Sequence, residues 1–502
     1  MKNFDNLISG SDIRGVAMPG VSGQPVTLTG EDARILAAAF ARWLSDALGR
    51  PMDALTVSVG HDPRLSSPEL AAAAVAGLSA QGCRVLDLGL CTTPAMFMTT
   101  LPSELGCDGA VMITASHLPW YRNGMKFFTP SGGLSKADIK AVLGMCGHAP
   151  GATQGLVEET HYLSRYAGGL VKGIREKTGE AEPLRGLRII VDAGNGAGGF
   201  FARDVLEPLG ADTTGSQYLE PDGRFPNHIP NPEDRAAMEA VSRATIAAGA
   251  DLGIIFDTDC DRAAVVGPDG REINRNRLIA LMSAVVLMEV PGGTIVTDSV
   301  TSSGLAEFIA ERGGVHHRFR RGYNNVISEA RRLEASGVSA PMAIETSGHC
   351  ALRENYFLDD GAYLITRLLI RMAECHRRGG RLLDLIEGLR EPAEEAELRF
   401  AIGAADFAAY GQRVLDAVLR RAGEDPAWRL APDNHEGVRV SFGSGDGDGW
   451  FLLRLSLHDP VLPLNIESDV PGGAKVIAGK LYPLLAGFPE LSLAPIEDFL
   501  RR

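Results

Sequence analysis

Two polar stretches of the chain contain the residue types that phosphoryl transfer requires. Ser116 follows the apolar run 110–114, so its hydroxyl lies on a loop after a predicted strand, where it can accept a phosphoryl group. Asp257, Asp259 and Asp261 alternate along the chain. In an extended segment such side chains project to one side, as the oxygen ligands of a hard cation must. We interpret the two stretches as one centre, in which a phosphate on Ser116 completes a Mg²⁺ site.

The residues around Ser116 support this interpretation. His117 can transfer a proton or bind phosphate, Lys126 returns a positive charge to the same loop, and Asn123–Gly124 predicts a tight turn between them. A phosphoserine carries about −1.5 to −2 charges at neutral pH, which requires such neighbours. Taken separately, the serine also fits an ordinary loop residue, and the aspartates fit an acidic turn whose carboxylates cap the backbone.

Three further stretches could bind an anionic sugar. Arg320 and Arg321 are the last residues of the basic cluster His316–Arg321. This cluster could capture phosphate or form a solvated edge strand. Glu345 follows a buried strand, where its carboxylate can hold sugar hydroxyls or simply satisfy a turn. Arg454 and Ser456 supply a guanidinium and a hydroxyl suited to a phosphate dianion.

The segment Gly194–Gly199 matches the dinucleotide fingerprint Gly-x-Gly-x-x-Gly between a predicted strand and a predicted helix. We interpret the match as a tight strand-to-helix turn, because no convincing acidic residue ends a second strand about 20 residues further on. A nucleotide-binding oxidoreductase remains an alternative on this motif alone.

Composition limits the possible partners. At 502 residues the chain exceeds what one hydrophobic core usually supports. The net charge of −14 argues against a general affinity for nucleic acid or anionic membranes. An odd number of cysteines without a Cys-x-x-Cys pair indicates reduced thiols and a cytoplasmic location. No export signal is visible, and the longest apolar run, 278–288, is too short to cross a bilayer.

Short β-branched runs alternate with helical patterns, which predicts parallel α/β layers with functional groups after the strands. Boundaries are expected in the polar stretch 148–159, after the hairpin-like Gly267–Gly270, and near 391–397. Past the last boundary, alternating strand patterns with flanking helices predict a smaller α+β domain. The predicted strands are Leu55–Gly60, Arg84–Gly89, Gly109–Thr114, Leu187–Asp192, Leu252–Asp257, Thr294–Asp298, Met342–Glu345, Gly437–Phe442, Trp450–Ser456 and Leu462–Glu467.

Five motifs in this order resemble the α-D-phosphohexomutase family, which includes phosphoglucomutases and phosphomannomutases. The resemblance spans the whole chain, from an amino-terminal arginine motif to a phosphate-binding loop in the last domain. The motifs are Ser11–Gly15, Thr114–His117, Asp257–Arg262, Glu345–His349 and Arg454–Pro460.

The resemblance implies an α/β fold with three similar mixed α/β domains plus a C-terminal α+β domain around a central cleft. It implies a phosphoserine-bearing domain (1–155), a metal-binding domain (156–271), a sugar-recognition domain (272–393) and a phosphate-binding domain (394–502). The expected function is interconversion of hexose 1-phosphate and hexose 6-phosphate, of glucose or mannose, through phosphoserine and a 1,6-bisphosphate. The expected cofactors are Mg²⁺ and hexose 1,6-bisphosphate as activator.

The family's residue roles carry over to matching positions. Arg14, Lys126 and His349 are expected in proton transfer or charge stabilisation, and His117 and Arg262 border the phosphoserine. Glu345 and Ser347 would bind the sugar hydroxyls, and Arg454 and Ser456 the phosphate that does not react. Sugar phosphates are the expected partners of a monomer or dimer that binds neither nucleic acid nor membrane.

The chain departs from the family pattern at several positions. Leu457, His458 and Asp459 follow Ser456 where relatives carry Gly or Asn, Thr and Glu, and Tyr323 replaces a common histidine. Val300 stands where many relatives have lysine. A weaker phosphate loop would favour release of the intermediate, so a hexose 1,6-bisphosphate synthase is the alternative within phosphoryl transfer. A non-catalytic sugar-phosphate sensor is the alternative outside catalysis.

Overall fold

The computed structural model describes residues 2–147, 154–456 and 459–502. The chain divides into two compact units. Unit 1 comprises Met1–Leu278 and Ser347–Leu385, and unit 2 comprises Ile279–Thr346 and Ile386–Arg502. The boundary predicted at 148–159 falls partly outside the described residues, as do Leu457 and His458 of the predicted phosphate loop.

Unit 1 begins with an eight-stranded mixed sheet in the order β1-β2-β6-β5-β3-β4-β8, with β7 paired to β6. Strands β5, β3, β4 and β8 are parallel, while β1, β2 and β6 extend the sheet in antiparallel fashion. The helices of this segment pack on the sheet through a core that includes Phe40 and Phe127. The elements are β1 (Ile8–Ser9), β2 (Asp12–Val16), α1 (Gly30–Leu48), β3 (Thr56–His61), α2 (Ser67–Ser79), β4 (Arg84–Leu90), α3 (Thr93–Met98), β5 (Gly109–Ile113), β6 (Arg122–Thr129), β7 (Gly132–Gly133), α4 (Lys136–Gly144) and β8 (Val157–Glu159).

The predicted tight turn at Asn123–Gly124 is wrong, because both residues lie inside strand β6. Gly124 pairs with Arg14 of β2, and a Cβ on Gly124 would lie 2.3 Å from the Ile13 carbonyl oxygen. The Asn123 side-chain amide donates to the hydroxyls of Ser66 and Ser67 instead of shaping a turn. Glycine therefore serves a close approach of two strands here.

The second segment of unit 1 contains a four-stranded sheet in the order β12-β11-β10-β9. Only β9 and β10 are parallel, and the hairpin predicted at Gly267–Gly270 joins β11 to β12. The helix predicted after Gly194–Gly199 is present as one π-helical segment, Phe201–Leu206, between two 3₁₀ turns. The regular elements are α5 (Leu163–Thr178), β9 (Ile189–Asp192), α6 (Arg235–Ala248), β10 (Leu252–Phe256), β11 (Ala263–Val266), β12 (Glu272–Ile273) and α7 (Arg275–Glu289), which continues into unit 2.

Unit 2 opens with three parallel strands, in which β13 lies between β14 and β15. The basic cluster thus includes an edge strand of unit 2, as one sequence interpretation held. The elements are β13 (Thr294–Thr297), α8 (Ser303–Glu311), β14 (Val315–Arg318), α9 (Tyr323–Ala335) and β15 (Met342–Ile344). Unit 1 then closes with the antiparallel pair β16 (Cys350–Leu352) and β17 (Leu358–Asp359) and helix α10 (Gly361–Arg377).

The C-terminal part of unit 2 is an antiparallel five-stranded sheet, in the order β18-β22-β21-β20-β19, covered by three helices. The alternating strands predicted here are confirmed. Strand β18 was missed because its residues 394–397 were assigned to a boundary. The elements are β18 (Glu394–Ala401), α11 (Phe407–Glu424), β19 (Arg429–Leu430), β20 (Val438–Phe442), β21 (Gly449–Leu453), β22 (Val461–Ser468), α12 (Gly473–Leu485) and α13 (Ala494–Arg501).

Short 3₁₀ turns complete the described fold at Asp5–Leu7, Met52–Ala54, Arg353–Asn355 and Leu382–Ile386. Within the described parts of the chain, every helix is too short or too polar to cross a membrane. The apolar run 278–288 lies within helix α7 and is mostly buried.

Candidate active site

Ser116 lies on the loop between the buried strand β5 and strand β6 of unit 1. Its backbone is left-handed, with φ of 51°, which is uncommon for a residue other than glycine and typical of strained functional positions. Its hydroxyl donates to Asp257 Oδ2 at 3.0 Å and accepts from Arg262 Nη2 at 3.0 Å. The predicted meeting of Ser116 with the acidic triad is therefore present within unit 1.

The carboxylates of Asp257, Asp259 and Asp261 converge at the end of strand β10, with ligand atoms within 4.8 Å of one another. All three residues are buried. The prediction that an extended segment aligns them is wrong, because residues 258–261 form a turn in which Cys260 has φ of 62°. The turn itself, rather than strand alternation, brings the oxygens together.

Two buried cations share this cluster of three carboxylates. Lys126, on β6, lies 3.3 Å from Asp259 Oδ2 and donates to Asp261 Oδ2. Arg262 Nη2 lies 3.0 Å from Asp257 Oδ2. Burial and the neighbouring Asp261 and Asp259 raise the pKa of Asp257 well above its usual value. The excess of acids over bases and the low local dielectric favour one further positive charge.

Oxygen atoms remain for such a cation to bind. Among the residues that the structure describes, Asp259 Oδ1 and Asp261 Oδ1 are buried and receive no hydrogen bond. Burial acts to raise the pKa of Asp261, but Lys126 and Arg262 outweigh burial, so its pKa is lowered and the carboxylate stays ionised. Buried ionised oxygens of this kind fit a hard divalent cation such as Mg²⁺.

The glycine-rich loop Gly194–Gly199, after β9, packs against the backbone of the acidic turn. Ala197 N donates to Thr258 O at 2.8 Å, and a Cβ on Gly196 would lie 3.0 Å from Thr258 Cα. A Cβ on Gly199 would lie 2.0 Å from the Leu219 carbonyl oxygen. These glycines contact protein backbone at close range, as the interpretation of a tight strand-to-helix turn requires.

Two histidines of unit 1 lie at this centre. His117 Nδ1 is 3.4 Å from Ser116 Oγ, and burial, followed by the charges of Arg262 and Arg14, lowers the pKa of His117 to about 3. His349 Nε2 is 3.7 Å from Asp261 Oδ1, while its Nδ1 is 2.8 Å from the hydroxyl of Ser347. Burial lowers the pKa of His349 well below its usual value. Both imidazoles are therefore neutral near pH 7.

Arg14 also belongs to this part of unit 1. It lies on strand β2, where its Nη2 is 3.0 Å from Asp12 Oδ2, and its charge acts on the pKa of His117. Unit 1 thus brings together every residue predicted for catalysis and every predicted metal ligand, together with Arg262 and Ser347.

The predicted phosphate-binding arginines of unit 2 converge on Glu436. Arg321 N donates to Glu436 Oε2 at 3.1 Å, and Arg454 Nη1 lies 3.9 Å from Glu436 Oε1. Glu436 also accepts from the hydroxyl of Ser299, and Arg321 Nε lies 3.5 Å from Asp298 Oδ2. Each guanidinium group therefore has a nearby carboxylate within unit 2, Asp298 for Arg321 and Glu436 for Arg454.

The remaining predicted residues of unit 2 lie on nearby backbone segments. Arg320 Nε donates to the His435 carbonyl at 2.9 Å and is otherwise exposed. Glu345 Oε1 accepts from Gly322 N at 2.6 Å, at the start of helix α9. Ser456 Oγ accepts from Asp459 N at 3.2 Å.

Two functional neighbours were missed from the sequence. Glu436 precedes a predicted strand among unremarkable polar residues, so no local pattern marks it. Arg64 is completely buried, and its guanidinium donates to the Ser116 carbonyl. It follows the predicted strand Leu55–Gly60, so the strand-end argument that singled out Ser116 would also have found it.

Fold and site together define a multidomain α/β protein of phosphoryl-transfer type. Family models described as phosphoglucomutase/phosphomannomutase α/β/α domains I, II and III match residues 6–144, 165–270 and 274–391 in that order. The chain belongs to the α-D-phosphohexomutase family, as its motifs predicted.

Individual relatives agree with the family match over most of their length. The chain is 30% identical over 471 residues to a phosphomannomutase/phosphoglucomutase of Pseudomonas putida, covering 93% of this chain and 92% of the relative. It is 32% identical over 441 residues to a protein of Xanthomonas campestris named phosphohexose mutases, and the match covers 86% of this chain and 91% of the relative. A crystal structure of a phosphoglucomutase/phosphomannomutase family protein from Burkholderia thailandensis matches with a TM-score of 0.78 at 28% identity. The match covers 96% of this chain and 97% of that protein.

Proposed function

We propose that the protein interconverts the 1-phosphates and 6-phosphates of glucose or mannose through a phosphorylated Ser116. The observation that carries the proposal is the position of the Ser116 hydroxyl, 3.0 Å from both Asp257 Oδ2 and Arg262 Nη2. The relatives named phosphomannomutase/phosphoglucomutase support the same reaction. Hexose 1,6-bisphosphate is the intermediate and also the activator that phosphorylates a free Ser116.

In the first transfer, the bond between Ser116 Oγ and phosphorus breaks while a bond from phosphorus to the oxygen of the free sugar hydroxyl forms. The departing Ser116 Oγ keeps the bonding electron pair, and its negative charge is stabilised by the Arg262 guanidinium, 3.0 Å away. The proton of that hydroxyl passes to a neutral base, for which His349 is the candidate because its uncharged ring lies at this centre, 3.7 Å from Asp261 Oδ1. Arg262 and Lys126 remain charged and stabilise the negative charge on the transferred group. The second transfer reverses these steps with the other phosphate of the bisphosphate.

Asp257, Asp259 and Asp261 would hold Mg²⁺, because their oxygens are buried, close together and only partly hydrogen-bonded. Bound there, the ion would neutralise charge on the phosphoryl group as it moves between oxygens. The protein supplies the rest by fixing the positions of Ser116 and its cationic neighbours before substrate binds.

Arg320, Arg321, Arg454 and Ser456 are proposed to bind the phosphate that does not react, and Glu345 and Ser347 to bind sugar hydroxyls. A phosphate dianion can replace the carboxylates that now accompany Arg321 and Arg454, because it offers more acceptor oxygens and more charge. The division at 155, 271 and 393, the monomer or dimer, and the cytoplasmic location remain predictions.

The test combines intact mass with product analysis. The protein incubated with glucose 1,6-bisphosphate should gain about 80 Da, one phosphoryl group, and Ser116→Ala should not. Phosphorus NMR with glucose 1-phosphate, Mg²⁺ and a trace of bisphosphate should then show glucose 6-phosphate. Mannose 1-phosphate in a parallel sample measures sugar preference, and EDTA should stop the reaction.

Three results would contradict the proposal. A protein that cannot be phosphorylated would support a sensor without catalysis. Steady accumulation of hexose 1,6-bisphosphate would support a synthase that releases it. Conversion that continues undiminished in EDTA would contradict the role assigned to Mg²⁺.

A further inference from the structure

Asp62 and Arg64 form an ion pair that is completely buried at the end of strand β3. Both side chains are 0% exposed, and Arg64 Nε lies 3.0 Å from Asp62 Oδ2. Asp62 also accepts from Arg64 N at 3.0 Å, Ser67 Oγ at 2.7 Å and Thr114 Oγ1 at 2.8 Å. A buried pair of this kind persists only when further hydrogen bonds offset the loss of water.

The remaining hydrogen bonds of the Arg64 guanidinium go to the loop that carries Ser116 and to the first residue of strand β6. The guanidinium donates to backbone carbonyls and to no second carboxylate among its described contacts. Its four acceptors are Ser116 O, Leu118 O at 2.7 Å, Pro119 O at 2.8 Å and Arg122 O at 3.1 Å.

This pattern fixes the backbone on both sides of the phosphate acceptor. Asp62 holds Thr114, whose hydroxyl accepts from Ser116 N at 2.9 Å, while Arg64 holds the Ser116 carbonyl. The amide and the carbonyl of Ser116 are therefore both tied to one ion pair. A left-handed serine persists only where its surroundings over-determine it.

A second loop closes over the other side of Arg64. Arg64 forms a backbone bridge with Gly223, and its guanidinium lies 5.3 Å from the centre of the Phe225 ring. A Cβ on Gly223 would lie 2.2 Å from the Pro63 carbonyl oxygen, so only glycine allows this approach. Packing thus prevents the guanidinium from leaving the carbonyls it binds.

We propose that Asp62 and Arg64 are positioning residues that hold Ser116 in the left-handed conformation required for phosphoryl transfer. The inference rests on the proposed function for its catalytic consequence, but its structural part does not. Arginine is required at this position, because a lysine ammonium has only three donors on one atom and cannot reach four carbonyls and a carboxylate.

Amide hydrogen exchange of the wild-type protein tests the structural part without any activity. The amides of residues 114–118 and 120–122 should be protected as strongly as those of strands β3 and β5. Exchange of this loop at the rate of exposed loops, such as residues 19–26, would overturn the proposal. This result is independent of whether the protein is a mutase.

Arg64→Lys tests the catalytic part, with Arg367→Lys as a matched control. Arg367 is also a buried, paired arginine of unit 1, but it lies on helix α10; its Nη1 is 2.7 Å from Glu354 Oε1. In Arg64→Lys, kcat should fall on the order of 100-fold while KM changes less than about threefold. Exchange should accelerate in residues 114–122 and remain unchanged in strands β9 and β10.

The outcomes separate positioning from general stability. If Arg64→Lys and Arg367→Lys have the same kcat and the same exchange in 114–122, the proposal is wrong. If Arg64→Lys does not fold, the double variant Asp62→Asn, Arg64→Met removes both buried charges, and the same losses are expected from it. An inactive wild type with a protected loop would reject the proposed function and leave the positioning role intact.

Discussion

The predicted site residues of the two units differ in their burial and in their balance of charge. In unit 1, three buried carboxylates face two buried cations around a serine that is 3% exposed. In unit 2, Arg321 and Arg454 retain side-chain exposures of 27% and 13%, and the carboxylates near them accompany rather than outnumber them. One centre is deficient in positive charge and closed, and the other holds guanidinium groups within reach of water.

This difference matches two stages of a phosphoryl transfer. A reacting hydroxyl benefits from fixed dipoles and charges in a dry environment, because nothing then has to reorganise as charge moves. A group that binds and releases substrate must instead exchange one partner for another. We therefore expect substitutions in unit 1 to lower kcat and substitutions in unit 2 to raise KM.

The largest expected effect is that of Asp261→Asn, which removes one carboxylate from the triad. The charge that favours a divalent cation is lost, and Lys126 loses its closest partner. Activity should fall on the order of 1,000-fold at saturating substrate, and Mg²⁺ binding measured by calorimetry should weaken. Asp204→Asn, on the surface of unit 1, is the control. A variant that keeps kcat but has a higher KM would contradict the assignment of unit 1 to the reacting step.

Much of this centre could be predicted because the strands are strongly apolar. Strands β5 and β10 are buried throughout, and the residues predicted to act together after these strands, Ser116 and the acidic triad, do lie together in the structure. Lys126 was predicted on the Ser116 loop after a turn at Asn123–Gly124, whereas it lies beside the acidic triad on strand β6. Asn-Gly usually marks a turn, but its pairing with β2, more than a hundred residues earlier in the chain, overrides the local signal.

Other features depend on tertiary contacts that no local pattern encodes. The acidic turn converges because Cys260 adopts a left-handed backbone, whereas the sequence suggested an extended segment. Strand β18 begins with Glu394 and Glu395, whose charges suggested a boundary, although Glu394 accepts from Gly472 N and Ala474 N at the start of helix α12. For Glu394, partners 78 and 80 residues further along the chain decide the conformation.

The second prediction tests whether the closed centre depends on the glycine loop behind it. Gly199→Ala places a Cβ about 2.0 Å from the Leu219 carbonyl oxygen, so the loop must shift. The free energy of unfolding should fall by about 3 kcal/mol in urea titrations, with weaker Mg²⁺ binding. Gly173→Ala, in the middle of α5 with open space around it, should instead raise stability by about 1 kcal/mol. If the two variants had the same free energy of unfolding and the same Mg²⁺ affinity, the loop would not support the acidic turn. Binding of NAD to the wild-type protein would instead favour the oxidoreductase alternative.

The third prediction addresses unit 2. Arg454→Met removes a charged donor worth about 1.5–3 kcal/mol in binding, so KM should rise roughly 10- to 100-fold. Because Arg454 is not at the reacting serine, kcat should change much less. Steady-state kinetics with glucose 1-phosphate measure both constants, and Arg421→Met, on the exposed face of α11, is the control. A fall in kcat without a change in KM would erase the contrast between the units.

The smallest expected effect concerns the ionised pair of His228 and Asp192 in unit 1. His228 Nε2 is 3.0 Å from Asp192 Oδ1, and Asp234 adds negative charge nearby. Burial acts to lower the pKa of His228, but the hydrogen bond and charge of Asp192 outweigh burial, so the pKa stands above its usual value. The protonated pair therefore stabilises the fold fully below the unfolded pKa of about 6.5.

That stabilisation is lost as pH rises through the raised native pKa, so wild-type melting temperature should fall between about pH 6.5 and the alkaline side of that pKa. His228→Gln keeps a neutral donor to Asp192 and should flatten this part of the curve, whereas the exposed His161→Gln should leave it unchanged. Thermal melts monitored by circular dichroism at closely spaced pH values measure the slopes. If wild type and His228→Gln have parallel slopes, the buried pair is not ionised, and His228 contributes no pH-dependent stability to unit 1.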